Sequence, residues 1–221
     1  MHEANLTVAA VALAAITAPQ AHDAPLFRLQ EERISIEYNV TRAEAVIAME
    51  AEAEVALRGL EIRAPDGELL FTLSAAAAAG PGFKEFRLGS AEIGPTSFAK
   101  MLAEGVYELR GRTAGGQLVL GEALLSHGLL RPPVVLYPVE GARDVPTDLV
   151  VSWVPEAGVA GYHVVLEQGE NDGLSLDLPG GASSFQVPPG ILAHGTESHV
   201  EVGAIAPNGN RTLVEISFTT R

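Results

Sequence analysis

Asp148-Leu149-Val150-Val151-Ser152-Trp153 is followed by Gly161-Tyr162-His163-Val164-Val165-Leu166. In the first segment Leu149, Val151 and Trp153 alternate with Val150 and Ser152. In the second, Tyr162, Val164 and Leu166 alternate with His163 and Val165. Side chains two apart share one face of a strand, so each segment offers a single apolar stripe. Pro155-Glu156-Ala157-Gly158 between them reads as a turn. The expectation is two neighbouring core strands of a β-sandwich, with Trp153 as the central core residue.

The composition sets the outer limits. The chain has 221 residues, 14 of them proline, which suits two domains of about 100 residues each. Hydrophobic residues make up 47% and aromatics only 5%, so any core is built mainly from Val, Leu, Ile and Ala. There is no cysteine, hence no disulfide, no thiolate metal site and no cysteine nucleophile. The formal net charge is −14. From Pro132 onward there are 3 Arg, no Lys and 11 Asp plus Glu, a net −8 for that half. Such a field makes nucleic acid and anionic lipid surfaces poor partners.

Leu6 to Ile16 is an apolar run interrupted only by Thr7. It is shorter than the roughly 20 residues a membrane-spanning helix needs. Small residues follow in Ala18–Ala24, as at signal-peptidase sites. The reading is an export signal over 1–24. His2 and Glu3 stand where Lys or Arg is expected, so a misassigned start or a retained N-terminal helix is the alternative.

Ile34, Ile36 and Tyr38 alternate as a short strand. Over Arg42–Arg58 two cues conflict. The Ala/Glu/Met content favours helix. The Val55/Leu57 then Leu60/Ile62 spacing favours strand, with a phase change at Arg58-Gly59 of the kind a β-bulge makes. Strands are expected at Ala45–Met49 and Val55–Ala64. Pro65-Asp66-Gly67 turns into a hairpin strand, Leu69–Leu73. Ser74–Gly82 reads as a loop, Phe83–Leu88 as a strand and Ser97–Ala103 as a short helix with Thr96 or Ser97 as its cap. Val106–Arg110 and Gln117–Ser126 form a hairpin. Leu129-Leu130-Arg131-Pro132-Pro133 is a stiff linker. Beyond it Pro138–Pro146 reads as a loop. Leu174–Leu178, Ser184–Val187, Val200–Ala206 and Thr212–Thr219 are strands, the last two joined at Pro207-Asn208-Gly209-Asn210. Short strands at this spacing point to an immunoglobulin-like sandwich.

The C-terminal half resembles a fibronectin type III domain over about 85 residues. The likeness rests on the Trp153 strand, Gly161-Tyr162, and Gly195-Thr196-Glu197-Ser198-His199-Val200-Glu201-Val202-Gly203-Ala204 with Asn208-Gly209 after it. The family usually has a tyrosine after Gly-Thr-Glu that makes a corner hydrogen bond; here Ser198 stands there. Leu192 keeps the upstream apolar position, while the usual proline is His194. The whole layout also resembles exported bacterial two-domain β proteins, through Pro65-Asp66-Gly67 and Glu104-Gly105-Val106-Tyr107-Glu108. That likeness implies no activity.

The chain has no Gly-x-Ser-x-Gly elbow, no phosphate-binding Gly-x-x-x-x-Gly-Lys loop and no His-Glu-x-x-His. Nothing in the sequence pairs two carboxylates in a cleft. If Tyr162, Val164, Val200 and Val202 face inward, then His163, Glu167, His199 and Glu201 face outward on two strands that the resemblance makes neighbours. Imidazole and carboxylate suit zinc, so these four are the candidate metal ligands; a polar outer face is the alternative. Gly169–Gly173 lacks the spacing of an EF-hand loop. Asn39-Val40-Thr41 and Asn210-Arg211-Thr212 fit the N-glycosylation acceptor pattern, which chance also produces.

The expected fold class is therefore all-β. Two consecutive β-sandwich domains are expected, at 25–131 and 132–221, the second of fibronectin type III kind. The first carries a short helix, and a helical signal occupies 1–24. The core signature is Trp153, Tyr162, Leu192, Val200 and Val202. The expected role is a non-catalytic, secreted or periplasmic bacterial protein that needs no cofactor. Its expected partner is a protein or envelope component, with no nucleic acid and no membrane span in the mature chain. An accessory module for metal or glycan is the alternative.

Overall fold

The computed structural model describes residues 27–75, 82–94, 97–169 and 171–221. The expected signal at 1–24 lies outside the described residues, as do most of the loop after Ser74 and the proposed cap Thr96. The described residues form an almost wholly β structure, and no helix among them is long and apolar enough to cross a membrane.

The N-terminal part contains β1 (Phe27–Asn39), β2 (Glu44–Arg63), β3 (Leu69–Ser74), β4 (Phe83–Gly89), the single-turn α1 (Phe98–Met101), β5 (Gly105–Thr113) and β6 (Leu118–Leu125). The two strands expected within 45–64 are one 20-residue strand. Tertiary burial overrides helix propensity there: Ala45, Ile47, Met49, Ala51 and Ala53 all point into the core at period two. Their small side chains give the segment its helix-like composition. The pairing of β2 with β5 shifts register between Leu57 and Gly59, which moves Leu60 and Ile62 onto the core face. β1 begins at Phe27, seven residues before the expected start; a register shift between Gln30 and Arg33, with Glu31 at φ 51°, hides its periodicity.

The C-terminal part contains β7 (Val134–Tyr137), β8 (Ala142–Val145), β9 (Val150–Val154), β10 (Gly161–Gln168), β11 (Asn171–Pro179), β12 (Ser184–Gln186), β13 (Glu197–Ile205) and β14 (Arg211–Thr220). β8 lies in the segment expected to be loop and pairs parallel to β14. A three-stranded sheet, β12-β9-β7, faces β11-β10-β13-β14. This is the sandwich expected for a fibronectin type III-like fold. One expectation is corrected. β9 and β10 are not neighbours in a sheet: β9 pairs with β12 and β7, β10 with β11 and β13. The connection after Val154 is too long for a tight hairpin, and it carries the chain across the roughly 10 Å between the layers. Trp153 and Tyr162 therefore meet across the core as a tilted pair, ring centroids 5.2 Å apart and planes inclined at 50°.

Two hydrophobic cores result, one around Ile36, Leu60, Ile62 and Tyr107, the other around Trp153, Tyr162, Val200 and Phe218. They are joined by more than the proline linker. β14 runs parallel to β1, with Glu37, Tyr38 and Asn39 opposite Arg211, Thr212 and Leu213. One sheet of eleven strands thus passes through both halves.

Candidate interaction surfaces

The five core-signature residues are all buried: Trp153, Tyr162, Leu192, Val200 and Val202. Their polar atoms are satisfied. The Trp153 indole N–H donates to the carbonyl of Ala182 at 3.1 Å, and the Tyr162 hydroxyl accepts the Glu156 N–H at 2.9 Å. Ser198, in place of the corner tyrosine, is fully buried. Gln168 lies opposite it in register and takes over the corner. Its side-chain amide accepts the Ala193 N–H at 2.7 Å, and donates to the Ala193 carbonyl at 3.2 Å and to Ser198 Oγ at 2.9 Å.

The four candidate metal ligands lie on β10 and β13 but do not converge. Register places Glu167 opposite His199, Val165 opposite Glu201, and His163 opposite Gly203. His163 is thus four residues along the sheet from His199, about 13 Å at strand rise. Each imidazole is engaged separately: His163 Nδ1 with Asp177 Oδ1 at 2.5 Å, His199 Nδ1 with Ser217 Oγ at 3.0 Å. Among the described residues no group of three or more His, Asp or Glu side chains could hold a metal ion. Surface patterning predicted the shared face; strand register sets His163 apart from the other three along it.

What occupies that face instead is the turn between β1 and β2. Arg42 Nη2 lies 2.7 Å from Glu215 Oε2 and 4.0 Å from Glu201 Oε1. Asn39 Nδ2 donates to Glu201 Oε1 at 3.4 Å, and Thr41 Oγ1 accepts the Glu215 N–H at 2.9 Å. Burial, together with the nearby Glu215 and Glu167 carboxylates, holds the Glu201 carboxyl above the ordinary glutamate range, against the pull of Arg42. Burial lowers Arg42, but Glu215 and then Glu201 outweigh it, so its guanidinium is raised. A second clasp runs through Asn210, which is buried and bonds both β1 and the segment between β6 and the linker. The asparagines of both glycosylation-like triplets are thus buried at this junction. Sequence reading missed Asn39, Arg42 and Asn210 as a group, because their partners lie more than 80 residues away.

Two outward faces are left uncovered by the described residues. On the three-stranded sheet Val134 and Val154 stand opposite each other, with Leu136 and Val150 nearby, all between 40% and 55% exposed. On the N-terminal part the outer face of β6, β5, β2 and β3 forms a cleft of about 700 Å³.

No protein-family model matches the chain, and no curated protein matches it. Solved structures similar to it include the FN1-FN3 domains of chicken CNTN1, at 12% identity and TM-score 0.36, covering 89% of this chain and 65% of that one. The two-fibronectin-type-III segment of chicken tenascin is 12% identical at TM-score 0.32, with 86% and 99% covered. The fibronectin(III)-like modules of Clostridium thermocellum CbhA are 13% identical at TM-score 0.34, with 90% and 92% covered. The chain spans just under two thirds of the CNTN1 structure. The chain's own strand order and core carry the assignment of a fibronectin type III-like fold.

Proposed function

We propose that this is a non-catalytic, exported protein that binds another protein or an envelope component. Its two sandwich domains divide near residues 131 and 132. The observation that carries this reading is the valine and leucine face of β7 and β9. Isolated exposed apolar side chains are ordinary, but a contiguous set on one sheet marks a contact surface. The parallel pairing of β1 and β14 supports it, because a joined sheet holds both outer faces at fixed spacing. Export to the periplasm or beyond is supported by the Leu6–Ile16 run and the small residues after it.

The test is capture from the native envelope with the mature protein as bait, run beside Val134→Glu/Val154→Glu. Both positions are exposed, so the variant should fold. Partners retained by the parent and lost by the variant support the reading. Identical captures from both would remove this face from it.

A further inference from the structure

The cleft on the N-terminal part has a composition at odds with the rest of the chain. Arg28, Arg58, Arg110 and Arg112 line it beside Glu61, Glu108 and Glu122, so its lining is net positive in a chain of net charge −14. Strand register explains how they gather. Arg28 is opposite Leu120, Leu120 opposite Arg110, and Arg110 opposite Glu61, so these side chains stand in one row across β1, β6, β5 and β2. The next row holds Leu118, Arg112 and Gly59. Gly59 has no side chain on this face, which deepens the middle of the cleft.

The charges are unevenly matched. Arg110 is held by Glu108, with Nη2 to Oε2 at 2.5 Å. Arg112 reaches only the Gly116 carbonyl, at 3.4 Å. Arg28 makes no hydrogen bond or ion pair among the described residues and is exposed. Two guanidinium groups therefore face the cleft without a carboxylate partner. A guanidinium fork matches a carboxylate at two points. Half-buried Leu118 and Leu120 lie on the same face and supply an apolar floor.

Resting on the interaction reading above, we propose that this cleft seats an acidic, leucine-bearing extended segment of a partner protein. Arg28 and Arg112 are two strands apart and two residues along, about 12 Å, close to the span of four residues of extended chain. Carboxylates at every fourth position share one face of an extended segment and would reach both arginines, with an apolar residue midway over Leu118 and Leu120. Among the described residues no aromatic ring lines the cleft, so sugar rings and nucleobases find no stacking surface there.

The experiment is fluorescence anisotropy with the full chain and a labelled peptide carrying Glu at every fourth position with Leu midway between. Binding should weaken with added salt. In Arg28→Gln/Arg112→Gln it should fall by about tenfold or more, the size of one or two charge-assisted bonds. Both positions are exposed, and an unchanged thermal melt shows that the variant folds. The same peptide with Lys for Glu should not bind. Equal binding by parent and variant overturns the proposal. So does polygalacturonate of matched charge binding as tightly as the peptide, since the cleft would then select charge alone. If the peptide fails while envelope capture through Val134 and Val154 persists, only the cleft falls.

Discussion

The side-chain oxygen of Asn210 accepts the backbone N–H of Ile36 at 2.9 Å, across 174 positions of sequence. Its amide nitrogen donates to the carbonyls of Ser126 at 2.7 Å and Gly128 at 2.9 Å. One buried side chain thus ties the last hairpin to β1 and to the segment between β6 and the linker. Asn210→Ala leaves the Ile36 N–H and the Ser126 carbonyl without this partner, each worth about 1–3 kcal/mol when buried, while the Gly128 carbonyl keeps the Asn208 amide at 2.9 Å. The expected loss is about 2–5 kcal/mol in urea unfolding. Asn210→Asp should do no better, because an ionised carboxylate cannot donate to two carbonyls. A loss below about 1 kcal/mol in the alanine variant would mean that water replaces the side chain at little cost.

The same clasp predicts how the chain unfolds. Trp153 is the sole tryptophan and lies in the second core, so its fluorescence reports that core alone. Far-UV circular dichroism reports both. With β1 and β14 paired, the two signals should change together in the parent protein. In Asn210→Ala they should separate. Separate transitions in the parent would show that the pairing does not couple the cores.

Gln168 supplies another expected outcome. Its amide bonds both backbone groups of Ala193 and the Ser198 hydroxyl. Gln168→Ala should cost about 1–3 kcal/mol. It should also speed hydrogen exchange at the Ala193 amide far more than at β9. Unchanged exchange at Ala193 would mean that Thr220, whose hydroxyl also donates to the Ala193 carbonyl at 2.7 Å, holds the corner alone.

These contacts show which parts of the molecule the sequence makes legible. Alternation at Leu149–Trp153 and Tyr162–Leu166 places those side chains in the core without further information, since burial acts on each strand separately. The bulge near Gly59 is legible for the same reason: it changes the phase of one strand's own pattern. Pairing partners are not legible in this way. β9 and β10 look like a hairpin because they are adjacent in sequence, yet the strands sit in opposite layers. The His163 and His199 grouping fails similarly, since a shared face does not fix register. Asn39, Arg42 and Asn210 resemble ordinary turn residues, and only the fold brings Glu201, Glu215 and Ile36 to them.

Arg42, Glu201 and Glu215 give a pH-dependent prediction. The Glu201 carboxyl is held above its ordinary value mainly by burial, then by Glu215 and Glu167. The folded chain therefore holds this proton more tightly than the unfolded chain. Stability from this group is full below the ordinary glutamate value and is lost as pH rises through the raised value. At neutral pH an ionised Glu201 strains the junction. Glu201→Gln should then stabilise the fold there by less than about 1 kcal/mol, or roughly 2–4 °C in Tm for a chain of this size. The gain should vanish near pH 4. Arg42→Ala should act in the opposite sense, because it leaves Glu215 and Glu201 facing each other without their cation. Arg42 is about half exposed, so solvent screening keeps its loss to about 1 kcal/mol. Adding Glu201→Gln to Arg42→Ala should recover part of that loss, and denaturant melts of the four proteins at two pH values measure the coupling. If Glu201→Gln destabilises at neutral pH, then Arg42 outweighs burial and the neighbouring carboxylates, and the sign assigned to this site is reversed.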